Sequence, residues 1–121
     1  MQDKRRSDRL GSWLHATYQA TGSGEQPYNS LTRNVSEGGI GLFTDRPFDT
    51  GAKLQIEIAC GNQKLIRFSG EVRWSRPLVL SGADGPPRAF ETGIRFVDIT
   101  PEDQKQLMLY TVLNPPPAAS T

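Results

Sequence analysis

The chain has 121 residues and a formal net charge of +1, with 14 Lys and Arg against 13 Asp and Glu, which holds one domain with one modest core and excludes a polycation that grips nucleic acid or an anionic membrane over its whole surface. Hydrophobic residues make up 36% and charged residues 22%, ordinary for a soluble globular protein, and no apolar run approaches the roughly 18 residues that span a bilayer. A single cysteine, Cys60, and a single histidine, His15, exclude an intramolecular disulfide and a Cys/His metal centre.

The N-terminal residues 1–10 read as a flexible basic arm. No apolar segment follows Met1-Gln2-Asp3-Lys4-Arg5-Arg6, so this is no secretory signal, the cytoplasm is the expected compartment, and Asn34-Val35-Ser36 loses its reading as a glycosylation sequon. Lys4 to Arg9 places four cations in six positions. Three of them are arginines, suited to bidentate recognition of phosphate and to stacking on flat rings. Arg5 and Arg9 share a face in a helical turn, or lie on the order of 13 Å apart in an extended arm.

Leu10-Gly11 lead into a strand over Trp13 to Tyr18. Leu14, Ala16 and Tyr18 alternate with Trp13, His15 and Thr17, which leaves His15 on the polar face as a surface residue. Thr21 to Pro27 is a loop, and a second strand covers about Tyr28 to Val35. Asn34 and Ser36 project the same way from extended chain. Gly38 and Gly39 follow, a residue type that turns the chain through positive φ and lets another group approach the backbone. Ile40 to Thr44 starts a third strand. An amide, a hydroxyl and bare backbone N–H groups then meet at one edge, as a ligand cradle or simply as a hairpin turn.

Lys53 to Ile58 alternates with Leu54, Ile56 and Ile58 inward, and Cys60 to Gln63 turns the chain. In the next strand Ile66, Phe68, Gly70, Val72 and Trp74 share one face, and Arg67, Ser69, Glu71, Arg73 and Ser75 the other. Leu78 to Pro87 is a loop. Phe90, Thr92, Ile94 and Phe96 alternate in the last strand. Thr100-Pro101-Glu102-Asp103 carries a cap, a first-turn proline and first-turn acids, so a helix starts there. Its stripe is Leu107, Met108, Thr111 and Val112, and Pro115-Pro116-Pro117 ends it. The sum is a mainly β chain, a six-stranded antiparallel β-barrel with a C-terminal α-helix. The expected division is the arm 1–10, the barrel and helix 11–113, and a Pro-rich disordered tail 114–121.

With these stretches placed, the chain resembles the PilZ domain, a bacterial receptor module for cyclic di-GMP. That family's pattern is Arg-x-x-x-Arg followed by Asp/Asn-x-Ser-x-x-Gly after the second strand. Arg5-Arg6-Ser7-Asp8-Arg9 matches the first motif, and Asn34-Val35-Ser36-Glu37-Gly38-Gly39 matches the second in its Asn form. Gly39-Ile40-Gly41-Leu42, Val72-Arg73-Trp74 and Gly93-Ile94-Arg95-Phe96 resemble family strand segments, and Asp98 to Asp103 resembles the start of the family's terminal helix. The resemblance covers roughly residues 4 to 113.

It implies a non-catalytic receptor or adaptor that binds cyclic di-GMP in the cytoplasm and signals to an unidentified downstream protein. No cofactor, no nucleic acid and no membrane insertion are implied, and the expected state is a monomer. The ligand residues it implies are Lys4, Arg5, Arg6, Arg9, Asn34, Ser36, Gly38, Gly39 and Trp74, with a buried core position as the competing reading of Trp74. Arginine forks fit phosphate oxygens and the O6/N7 edge of guanine, and the Asn34 carbonyl can accept from the Watson–Crick edge. A basic residue just before the first motif arginine, here Lys4, goes in the family with an intercalated dimer of cyclic di-GMP. The alternatives are a small nucleic-acid-binding barrel and a PilZ-fold interaction scaffold that binds no nucleotide. No Ser/His/acid or Cys/His set supports an enzyme.

Overall fold

The structure is a computed structural model that describes residues 10–11, 14–61, 64–79 and 85–113. In chain order it contains β1 (Leu10–Gly11), β2 (His15–Ala20), β3 (Tyr28–Val35), β4 (Gly39–Thr44), β5 (Lys53–Ala59), β6 (Leu65–Pro77), β7 (Phe90–Asp98) and α1 (Pro101–Leu113). The sheet order is β1-β3-β2-β5-β6-β7-β4, and a further β3–β4 pairing closes it. The result is a closed six-stranded antiparallel barrel, β2 to β7, with one helix, as the alternation implied.

β1 and β2 lie end to end along one edge of β3. Leu10 pairs with Val35 and Gly11 with Asn34, while His15 pairs with Leu31 and Tyr18 with Tyr28. Leu14 bridges the two segments: its N–H donates to Thr32 Oγ1 at 2.9 Å and its carbonyl accepts from the Thr32 N–H at 2.9 Å. The strand expected over Trp13 to Tyr18 is thus His15 to Ala20, preceded by a short separate pairing.

The core fills the barrel with the inward residues of each strand. Ala16, Tyr18, Leu42, Leu54, Ile56, Ile58, Ile66 and Val72 are all at most 1% exposed, and Phe68 meets Phe96 edge-on with centroids 4.9 Å apart. Cys60 is buried in the turn after β5, where burial pushes its thiol pKa up. Helix α1 packs near β1 and β3. Thr100 caps it, its Oγ1 accepting from the Asp103 N–H at 3.0 Å. Of the expected stripe, Leu107 and Thr111 are buried and Met108 is half-buried, but Val112 is exposed. The helix presents one narrow face to the barrel, and Val112 lies off it.

Two other expectations change. Neither Gly38 nor Gly39 has positive φ; among the described residues that conformation belongs to Gly22, Gly24, Gly51, Gly61 and Gly85. The register of β6 against β7 also shifts between Val72 and Trp74. This bulge breaks the alternation that assigned Trp74 to the core face. Trp74 is instead half-buried.

Candidate functional site

One row of paired residues crosses four strands of the barrel wall. Asn34 of β3 pairs with Gly41 of β4, Gly41 with Gly93 of β7, and Gly93 with Trp74 of β6. The neighbouring row, Val35, Ile40, Ile94 and Val72, is buried in the core, so the Asn34–Trp74 row faces outward. Two glycines form its floor, and the flanking side chains fold over them. A Cβ on Gly41 would stand 2.8 Å from Asn34 Oδ1, and one on Gly93 would overlap the Trp74 indole. Glycine inside a strand marks this kind of close approach.

Asn34, Gly93 and Trp74 of this row line a cleft of about 240 Å³, together with Ser36, Gly38, Gly39, Ile40, Arg73, Ile94 and Arg95. It adjoins, through Gly38, a wider open groove lined by Glu37, Pro101, Gln104, Lys105 and Met108. The turn between β3 and β4 separates the two and is tightly braced. The Ser36 N–H donates to the Gly39 carbonyl at 2.8 Å. The Ser36 hydroxyl donates to the same carbonyl at 3.1 Å and accepts from the Gly39 N–H at 3.2 Å. Gly38 accepts from the Phe96 N–H at 2.9 Å, and the Glu37 carbonyl accepts from Gln104 Nε2 of α1. Gly39 is required for strand contact, because a Cβ there would overlap the Ile94 carbonyl oxygen.

Charge around the cleft is largely compensated. Arg95 pairs with Glu71, and that contact holds the Glu71 carboxyl below the usual carboxylate range. Glu91, whose side chain is 3% exposed, takes Arg76 Nη2 at 3.0 Å and Arg33 Nε at 3.4 Å. Arg76 also stands over the Trp74 ring, 5.1 Å from its centroid. Arg73 is exposed and makes no ion pair among the described residues.

The structure therefore brings together Asn34, Ser36, Gly38, Gly39 and Trp74. Lys4, Arg5, Arg6 and Arg9 lie outside the described residues, as does the tail 114–121. The β1 register nevertheless seats Leu10 and Gly11 against Val35 and Asn34, beside the cleft. Sequence reasoning missed Gly93 as a cleft residue, although a glycine within an alternating strand was the available signal. It also missed Arg73, which alternation puts on the outward face but which only the bulge sets beside Trp74 in the cleft.

The family model for the PilZ domain matches residues 3–112. A search of curated proteins gives no match. Among solved structures, the Bacillus subtilis inhibitor of motility MotI/DgrA superposes with a TM-score of 0.68 at 21% identity, covering 88% of this chain and 48% of that one. A K. pneumonia MrkH–c-di-GMP complex gives a TM-score of 0.68 at 18% identity, covering 93% of this chain and 53% of that one. The PilZ domain of YcgR from Escherichia coli, solved with c-di-GMP, gives 0.64 at 18% identity, covering 83% and 82%. The chain spans about half the length of the first two proteins.

Proposed function

The chain belongs to the PilZ domain family, and on that premise we propose that it is a non-catalytic receptor for cyclic di-GMP, read through Asn34, Ser36 and Gly39 of the cleft and through Arg5 and Arg9 of the arm. Relatives of the same fold are described as c-di-GMP complexes. The observation that carries the reading is the pairing of Leu10 with Val35 and Gly11 with Asn34. Residue 9 is one Cα step, about 3.8 Å, from Leu10, so the first motif is tethered at the rim of the second. The cleft alone, at about 240 Å³, falls below the ~300–1,000 Å³ usual for a small-molecule site. An arm folding over it supplies the missing walls and positive charge.

In this reading the Asn34 carbonyl accepts from guanine and Trp74 walls the cleft. Ser36 acts first by closing the turn that presents Gly38 and Gly39. Arg5, Arg6 and Arg9 hold phosphate and a guanine edge. Lys4 adds the further cation that a stacked dimer, with about four negative charges against two, calls for. The ordered arm changes the surface offered to a downstream protein, and ligand works by favouring that closed state.

Calorimetric titration of the whole chain tests this. We expect saturable binding with two nucleotides per chain, one after Lys4→Leu, and almost none after Arg5→Ala or Arg9→Ala at unchanged thermal stability. Amide exchange of residues 1–10 should slow on saturation. Wild-type affinity in both arginine variants, or a preference for single-stranded DNA, would overturn the receptor reading. An endpoint of one that Lys4→Leu leaves alone would remove only the dimer.

A further inference from the structure

Strand β6 carries one residue too many against β7: Val72 pairs with Ile94 and Trp74 with Gly93, leaving Arg73 between them. A bulge sets two residues opposite one and re-aims the side chains at that point. Here Arg73 and Trp74 both line the cleft instead of pointing to opposite faces of the barrel. The other arginines around the cleft are committed to carboxylates. Arg95 is held by Glu71, and Arg76 and Arg33 share the buried Glu91. Arg73 makes no ion pair among the described residues, and its side chain is exposed. Its guanidinium acts on Glu71 only at longer range and is thus the β6 arginine without a close carboxylate among the described residues, next to an indole.

The position matters as much as the charge. The N-terminal segment reaches the barrel along β3, at Val35 and Asn34, whereas Arg73 stands on β6. Between β3 and β6 lie β4 and β7, so the two walls are three inter-strand steps apart, on the order of 14 Å along the sheet. A ligand with one phosphate has only one anionic end to divide between them. On the cyclic di-GMP reading above, in which the arm acts at the β3 wall, a ligand with two phosphates can meet a further cation in Arg73.

We propose that Arg73 is a further ligand-binding residue, contacting a phosphate at the side of the cleft remote from the arm, and that it makes the site select a two-phosphate cyclic nucleotide over a mononucleotide. The inference rests on the cyclic di-GMP reading above. An exposed guanidinium without a close carboxylate fits a phosphate oxygen pair bidentately.

The test is calorimetric titration of the full chain with cyclic di-GMP and, separately, with GMP, at low and high salt. Arg67→Gln serves as the control, because Arg67 pairs with Glu57 at 2.7 Å and does not line the cleft. We expect Arg73→Gln to weaken cyclic di-GMP binding about tenfold at low salt and less at high salt, as a charge contact should. Arg73→Lys should recover part of the loss, GMP binding should change little, and Arg67→Gln should match wild type. Wild-type affinity in Arg73→Gln, or a loss equal at both salt concentrations and equal for GMP, would overturn the proposal while leaving the receptor reading in place. Wild-type protein that binds no cyclic di-GMP would instead overturn that reading, and the Arg73 proposal with it.

Discussion

At the scale of single residues, the cleft depends on what is absent from side chains as much as on what they carry. Gly39 faces the Ile94 carbonyl so closely that even alanine must displace backbone, and overpacking of this kind costs about 1–3 kcal/mol. Gly39→Ala should therefore lower the urea midpoint by that amount and weaken ligand binding in parallel; an unchanged midpoint would contradict the packing described. Ser36→Ala removes a hydroxyl that both donates to and accepts from Gly39, at an expected cost of about 1 kcal/mol that appears in stability without any ligand present. These roles were only partly legible. Asn34, Ser36 and Gly39 stood out by spacing, and of the two reasons expected for glycine, positive φ and close approach, the structure gives the second, with the β7 backbone as the group that comes near. Such an approach is a property of the partner strand, and no single stretch of sequence contains it.

Elements were easier to read where one local signal sufficed. Clean alternation placed β5, and the Thr100-Pro101-Glu102-Asp103 run placed the start of α1 to the residue. Thr100→Ala should cost about 1 kcal/mol of stability through the lost cap, and its chemical denaturation curve should keep its slope while the midpoint falls; a midpoint that stays put would remove the cap from the account. Signals that depend on a second strand were lost. The separate pairings of β1 and β2 follow from how β3 divides its edge between them, and the β6 bulge follows from registration against β7. Pure alternation carried Trp74 to the wrong face, although it left Arg73 on the outward one. Val112 shows the converse, an apolar residue at helical spacing that lies off the buried face of Leu107 and Thr111.

For the molecule as a whole, stability should decline on the alkaline side. The Tyr18 phenol is buried and donates to Asp45 Oδ1 at 2.5 Å, and burial first, then that hydrogen bond, raises its pKa well above the ordinary value. Burial raises Cys60 likewise. Both groups are neutral when protonated, so above their unfolded values, about 8.5 for cysteine and 10 for tyrosine, the unfolded chain releases protons that the folded one keeps. Their contribution is then complete below those values and is lost as pH rises toward the folded ones. Urea midpoints measured from pH 7 to 11 should hold level and then fall above about pH 9, with Tyr18→Phe flattening the upper part of the fall. A midpoint level to pH 11 would show that neither group is coupled to folding.

Each of the six barrel strands is hydrogen-bonded on both sides, because β3 and β4 close the ring. A protein that recruits others by β-augmentation lends them a free strand edge, and the same edge invites self-association. Among the described residues, the closed ring leaves no barrel strand with a wholly unpaired side. What such a barrel offers a partner is chiefly its side chains, so recognition can be rewritten one surface position at a time while the barrel beneath stays as it is.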